Sequence, residues 1–136
     1  MFLVHLVADI HQPLHCAERN GDAGATAVPV KWFGENMSLH LVWDVGLIEK
    51  RTYDCGEYVR DLERDWIIAN GVLGVRQGMP ADWARESHKA AVDVDYALPD
   101  DLELGEEYYA RSRPTVERQL TLAGVRLARI LDEALR

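Results

Sequence analysis

Apolar residues along this chain recur mostly at helical spacing. Residues 2 to 11 are rich enough in them for a buried helix, and Pro13 should stop or bend it, because a proline pushes the residue before it, here Gln12, away from helical geometry. The glycines and short polar side chains from Ala17 to Thr26 mark a loop. Ala27 to Phe33 has strand-like content, with Pro29 confining it to an edge or a short hairpin and Gly34 ending it. A helix is expected from about Leu39 to Glu49, capped by Asn36 or Ser38, and another from Gly56 to about Ile68. Three glycines and Pro80 make residues 70 to 80 a loop, after which a helix starts near Asp82. In the last segment Val116, Leu120, Ala123, Leu127, Leu131 and Leu135 recur three or four residues apart, opposite Glu117, Arg118, Arg126 and Arg129. That pattern predicts a core helix with a charged outer face. With no repeat, low-complexity tract or linker, residues 1–136 read as one mainly α domain with a single short β-hairpin.

Two of these helices carry the same chemical pattern. His5 and Asp9 stand four residues apart, as do His40 and Asp44, and that spacing stacks both side chains on one helical face. A lone pair of this kind is usually a surface hydrogen bond. Two pairs with His15 beyond the proline bend, all within forty residues, point instead to a metal centre. His15, His40 and Asp44 make the three-ligand set that a catalytic zinc takes, with one position left for water. His5 and Asp9 are too few for an ion of their own and need ligands from elsewhere. His11 lies six residues from His5 and faces away from the first pair, so it reads as a supporting or structural residue.

Composition narrows the class of partner. The chain has 136 residues, 48% of them hydrophobic, enough to build a core. No stretch approaches the length of a membrane span. The formal net charge is -8, which argues against binding nucleic acid through a broad basic surface and leaves local positive charge, such as bound metal, to do so. Cys16 and Cys55 permit one disulfide, but two buried thiols are an equal reading.

The same residues carry a family resemblance. FLVHLVADIHQPLH at 2 to 15, AVPVKWFG at 27 to 34 and LHLVWDVGLI at 39 to 48 resemble the zinc-dependent, single-strand-specific nucleases of the S1/P1 type, which are related in fold to bacterial phospholipase C. Weaker matches follow at 83 to 87 and 122 to 131. The resemblance implies a helical nuclease fold with three zinc ions in the complete site. It places one ion on His15, His40 and Asp44, and another on His5 and Asp9, with Asp9 bridging. The implied activity is hydrolysis of single-stranded DNA or RNA to 5'-phosphorylated products, with 3'-nucleotidase activity, by a secreted or periplasmic protein; a monomer is one expectation, made apart from the resemblance. Family chains are about twice as long, so the expectation is a domain truncated at its amino terminus, with about one zinc fully liganded here. The missing half would also hold a catalytic carboxylate. Where the family usually reads Asp-Arg-Gly-Gly-Asn, this chain has Asp22-Ala23-Gly24-Ala25-Thr26, making Asp22 and Thr26 the candidate substrate contacts. Two alternatives follow from the same residues: a phospholipase C-like phosphodiesterase, and a non-catalytic zinc-binding remnant. Trp32 and Phe33 suit core packing better than base stacking, Trp43 suits packing beneath the ligands, and His88 suits the solvated surface.

Overall fold

A computed structural model describes residues 2–72 and 75–136; positions 73 and 74 of the expected 70 to 80 loop lie outside the described residues. The fold is mainly helical. Helix α1 (Phe2–Asp9) runs into a 3-10 turn (Pro13–Cys16), and strands β1 (Pro29–Trp32) and β2 (Glu35–Ser38) form a hairpin. A continuous helical run follows: α2 (Leu39–Leu41), a π-helical turn (Val42–Gly46) and α3 (Leu47–Arg51). A second run comprises α4 (Cys55–Asp61), a π-helical segment (Leu62–Ile67) and α5 (Ile68–Asn70). Helix α6 (Pro80–Ala90) leads through a π-helical turn (Ala91–Asp95) to β3 (Glu103–Leu104) and the long α7 (Glu106–Ala134).

The three strands form one sheet in the order β2-β1-β3, β1 being antiparallel to β2 and parallel to β3. Of the two placements expected for the Pro29 strand, the short hairpin is found and the edge is not. Proline is tolerated in the central strand because it is the first residue of β1, while β3 pairs only with Lys31 and Trp32. Val30 and Trp32 point into the core, joined there by Leu14, Leu39, Val42, Trp43, Leu47, Leu104, Tyr108 and Val116. Trp43 is buried as expected, its indole N–H donating to the Tyr108 hydroxyl at 2.8 Å. Phe33, at the hairpin tip, is 41% exposed and stacks edge-on against Trp32, so only Trp32 meets the core-packing expectation.

Helix α1 departs from its expected burial. Val7 is its one buried residue among those described, while Phe2, Val4 and Leu6 are exposed. The end of the helix is nevertheless firmly seated. The Ser87 hydroxyl donates to the Ile10 carbonyl at 2.7 Å, and the Gln119 amide donates to the His11 carbonyl at 3.0 Å and to Ser87 Oγ at 2.8 Å. Buried amide and hydroxyl groups satisfied in this way fix one geometry, and here they fix the bend that carries His15.

Helix α7 also corrects the sequence reading. Leu120 and Leu131 are 37% exposed and Leu135 is 83% exposed, whereas Arg126 is 3% exposed. Its guanidinium donates to the Val75 carbonyl, to Glu86 Oε2 at 2.7 Å and to His11 Nε2 at 2.9 Å, and it lies over the Trp83 ring. The aliphatic positions do not decide which face turns inward, because a guanidinium that finds acceptors on three sides can also be accommodated inside. Arg129 likewise turns toward the protein, donating to the Gly78 carbonyl at 3.0 Å.

Asp95 is fully buried, and among the described residues neither of its carboxylate oxygens meets a hydrogen-bond donor from another residue. Burial pushes its pKa up to about 8. The folded protein thus retains a proton that the unfolded chain releases near pH 4, and stability falls as pH rises from about 4 to about 8. Asp95→Asn should remove this slope. Thermal melts are expected to show a gain of a few kcal/mol at pH 8 and little change at pH 4.

Candidate metal centre

Three elements bring the ligand atoms together. Pro13 ends the first helical segment, and Gln12 just before it is extended at φ −79° and ψ 116°, as a residue before proline prefers. The 3-10 turn then aims His15 back over α2. Ser38 caps α2, its side chain accepting from the Leu41 N–H at 3.2 Å, and His40 and Asp44 follow on successive turns of that run. The π-helical turn at Val42–Gly46 buries Val42, Trp43 and Gly46 while Asp44 faces outward. Such turns insert one residue and frequently re-aim a side chain at a functional site.

His15 Nε2 and His40 Nε2 lie 3.2 Å apart, their rings nearly parallel with centroids 5.0 Å apart. His40 Nε2 lies 3.3 Å from Asp44 Oδ2, and His15 Nε2 lies 3.6 Å from Asp44 Oδ1. One ligand atom from each residue falls within 4.8 Å of the other two. Their second nitrogens are committed elsewhere. His40 Nδ1 lies 2.6 Å from the Gly24 carbonyl, and His15 Nδ1 lies 2.8 Å from Asp9 Oδ1. A carbonyl oxygen can only accept, so Nδ1 of His40 carries the proton and its Nε2 lone pair faces His15; the carboxylate of Asp9 sets the same tautomer on His15. Two imidazole lone pairs and a carboxylate therefore converge on one small volume, a zinc-type donor set. The fit is also metric, since a tetrahedral zinc with bonds of roughly 2.0–2.1 Å separates its ligand atoms by about 3.3 Å.

The loop between the ligands is shaped to hold His40. Gly24 adopts φ +62°, and a Cβ there would come within 2.7 Å of the Leu14 carbonyl, so glycine is what lets its own carbonyl reach the imidazole. Asp22 is nearly buried; its Oδ1 accepts from the Arg19 N–H at 3.0 Å and from the Tyr96 hydroxyl at 3.1 Å. Those hydrogen bonds hold its carboxyl below the usual range despite the burial that opposes them. In this structure Asp22 thus braces the loop, and Thr26 is exposed on it.

Of the sequence candidates, His15, His40 and Asp44 come together, with Asp9 behind His15. His5 is exposed on α1 and is outside the three-ligand group. His11 is a structural residue: it is 2% exposed, its Nδ1 donates to the Val7 carbonyl at 2.7 Å and its Nε2 accepts from Arg126. Burial lowers its pKa, and the adjacent Arg126 charge adds to that effect. His88 is exposed, as expected, with Nδ1 3.0 Å from the Cys16 carbonyl. Cys16 and Cys55 are both free thiols. Burial and the nearby Asp9 charge raise the Cys16 pKa, which disfavours the thiolate a metal would need. Sequence reasoning missed Gln12 as a partner of Asp44, its amide donating to Oδ1 at 2.8 Å, and the Gly24 carbonyl behind His40. An apolar cavity of about 130 Å³ opens beside Asp44, between Gln12, Trp43, Ile48, Val116 and Leu120.

A sequence model described as S1/P1 Nuclease matches residues 1–136. Endonuclease 4 of Arabidopsis thaliana is 34% identical over 147 residues, an alignment covering 97% of this chain and 48% of the relative. Endonuclease 3 of the same plant is 32% identical over 148 residues, covering 97% and 49%. Nuclease S1 of Aspergillus oryzae is 29% identical over 151 residues, covering 96% and 52%. The chain spans about half the length of the curated relatives it matches.

Proposed function

The chain belongs to the S1/P1 nuclease family, and from that premise we propose that it supplies the metal-binding part of a zinc-dependent phosphodiesterase acting on single-stranded DNA or RNA. Its products carry 5'-phosphates, and 3'-nucleotides are a second substrate class. The observation that carries this reading is the convergence of His15 Nε2, His40 Nε2 and the Asp44 carboxylate within 4.8 Å. A zinc ion held there lowers the pKa of bound water from 15.7 to about 7 and stabilises charge on the reacting phosphate.

The residues of this chain have distinct parts in that scheme. His15 and His40 present neutral imidazole nitrogens because Asp9 and Gly24 hold their other nitrogens. Asp44 contributes the negative charge that offsets the cation. Asp9, with His5 one turn earlier on α1, offers ligands toward a second ion, and its carboxylate is the group that would bridge two. Thr26, exposed on the loop that also holds His40, borders the substrate side, with Asp22 maintaining the loop's shape. No described helix is long and apolar enough to cross a membrane, and export from the cytoplasm is part of the proposal.

Zinc-loaded protein should cleave denatured DNA to 5'-phosphorylated fragments, at a rate impaired relative to the full-length relatives, and leave phosphatidylcholine intact. Turnover of the lipid alone would transfer the reading to a phospholipase C-like enzyme. A second reading, zinc binding without catalysis, draws on the single three-ligand group found among the described residues. It predicts stoichiometric zinc with neither substrate turned over.

A further inference from the structure

We propose that Gln12 is a positioning residue that fixes the orientation of the Asp44 carboxylate against the two imidazoles; this rests on reading His15, His40 and Asp44 as a metal centre. The Gln12 side chain links the two halves of that centre. Its Oε1 accepts from the Leu14 N–H at 2.5 Å, within the turn that carries His15, and its Nε2 donates to Asp44 Oδ1 at 2.8 Å on the helical run that carries His40. The amide orientation is determined by its neighbours. A backbone N–H can only donate and a carboxylate can only accept, so oxygen must face Leu14 and nitrogen must face Asp44.

The consequence concerns the carboxylate. With Oδ1 engaged by Gln12, the carboxylate is held so that Oδ1 lies 3.6 Å from His15 Nε2 and Oδ2 lies 3.3 Å from His40 Nε2. A carboxylate free to rotate has to give up that freedom on binding a cation, and one already held by a hydrogen bond does not. Hydrogen-bond partners of metal ligands typically contribute 10- to 100-fold to affinity, and Gln12 acts on Asp44 in that way while also capping the turn beneath His15.

Those two jobs can be separated. Gln12→Ser retains a short side chain able to cap the Leu14 N–H but too short to reach Asp44, whereas Gln12→Ala loses both contacts. Zinc affinity, from competition with a chromophoric chelator, is expected to fall about 10- to 100-fold in both variants. The cobalt(II)-substituted variants should show a visible band altered from that of wild type, as Asp44 is no longer fixed in orientation. Circular dichroism of the metal-free proteins should be unchanged. If Gln12 only caps the turn, the serine variant will match wild type in zinc affinity and cobalt spectrum, and the proposal is overturned. His40→Ala serves as the reference. Loss of binding in His40→Ala with wild-type behaviour in both Gln12 variants refutes the role of Gln12 alone; a wild-type protein that binds neither zinc nor cobalt removes the metal centre and this inference together.

Discussion

Replacing His40 or Asp44 with alanine is expected to lower zinc affinity about a hundredfold or more, while His88→Ala leaves it within about twofold. The three ligand atoms are mutually within 4.8 Å, so removing one leaves a two-ligand site that cannot hold zinc against water. His88 instead faces the Cys16 carbonyl and has no place in that group. Equilibrium dialysis with metal analysis reads the difference directly. Asp44→Asn refines it, since the amide keeps the shape but loses the charge and much of the affinity. Equal zinc content in His40→Ala, Asp44→Ala and wild type would refute the assignment.

Arg126→Ala is expected to destabilise the fold by about 3–5 kcal/mol, the usual cost of breaking a buried charged network on one side. The side chain is 4% exposed and serves three acceptors on different elements: the Val75 carbonyl, Glu86 and His11 Nε2. Its loss strands His11 Nε2 and the Val75 carbonyl, while Glu86, 37% exposed, can recover water. Arg126→Met together with Glu86→Gln should recover part of the loss by keeping the packing against Trp83 without an unpaired charge. Urea titrations of the three proteins would measure this. The network also carries a pH signature. Burial and Arg126 depress the His11 pKa below its unfolded value near 6.5. The unfolded chain then binds a proton that the native state excludes, so stability is full above about pH 6.5 and falls as the medium becomes more acidic.

What the sequence disclosed was local in origin. The four-residue spacing of His40 and Asp44, the bend imposed by Pro13 and the serine cap of the second ligand helix depend on neighbours in the chain, and each is found where the pattern puts it. What stayed hidden depends on distant partners. Arg126 looked like a solvent-facing charge because its three acceptors come from residues 11, 75 and 86. The central place of β1 beyond its hairpin was hidden because its parallel partner is the two-residue β3, some seventy positions away. The aliphatic stripe of α7 misidentified the inward face for a related reason: the buried surface there is built partly from Gln119 and Arg126, polar groups whose pairing no periodicity records. Gln12 was legible as the residue at the bend but not as a partner of Asp44, because an amide gains meaning only when its acceptor, here on another element, is known. The buried Asp95 is of the same kind, since nothing in its local sequence indicates the loss of water around it.

X-ray absorption at the zinc edge, recorded on the zinc-loaded protein, bears most directly on whether two imidazoles and one carboxylate share a single ion. The expected spectrum has nitrogen and oxygen scatterers alone at about 2.0–2.1 Å, with outer-shell scattering from two histidine rings. A sulfur shell at about 2.3 Å, or scattering from no more than one ring, would contradict a centre built from His15, His40 and Asp44.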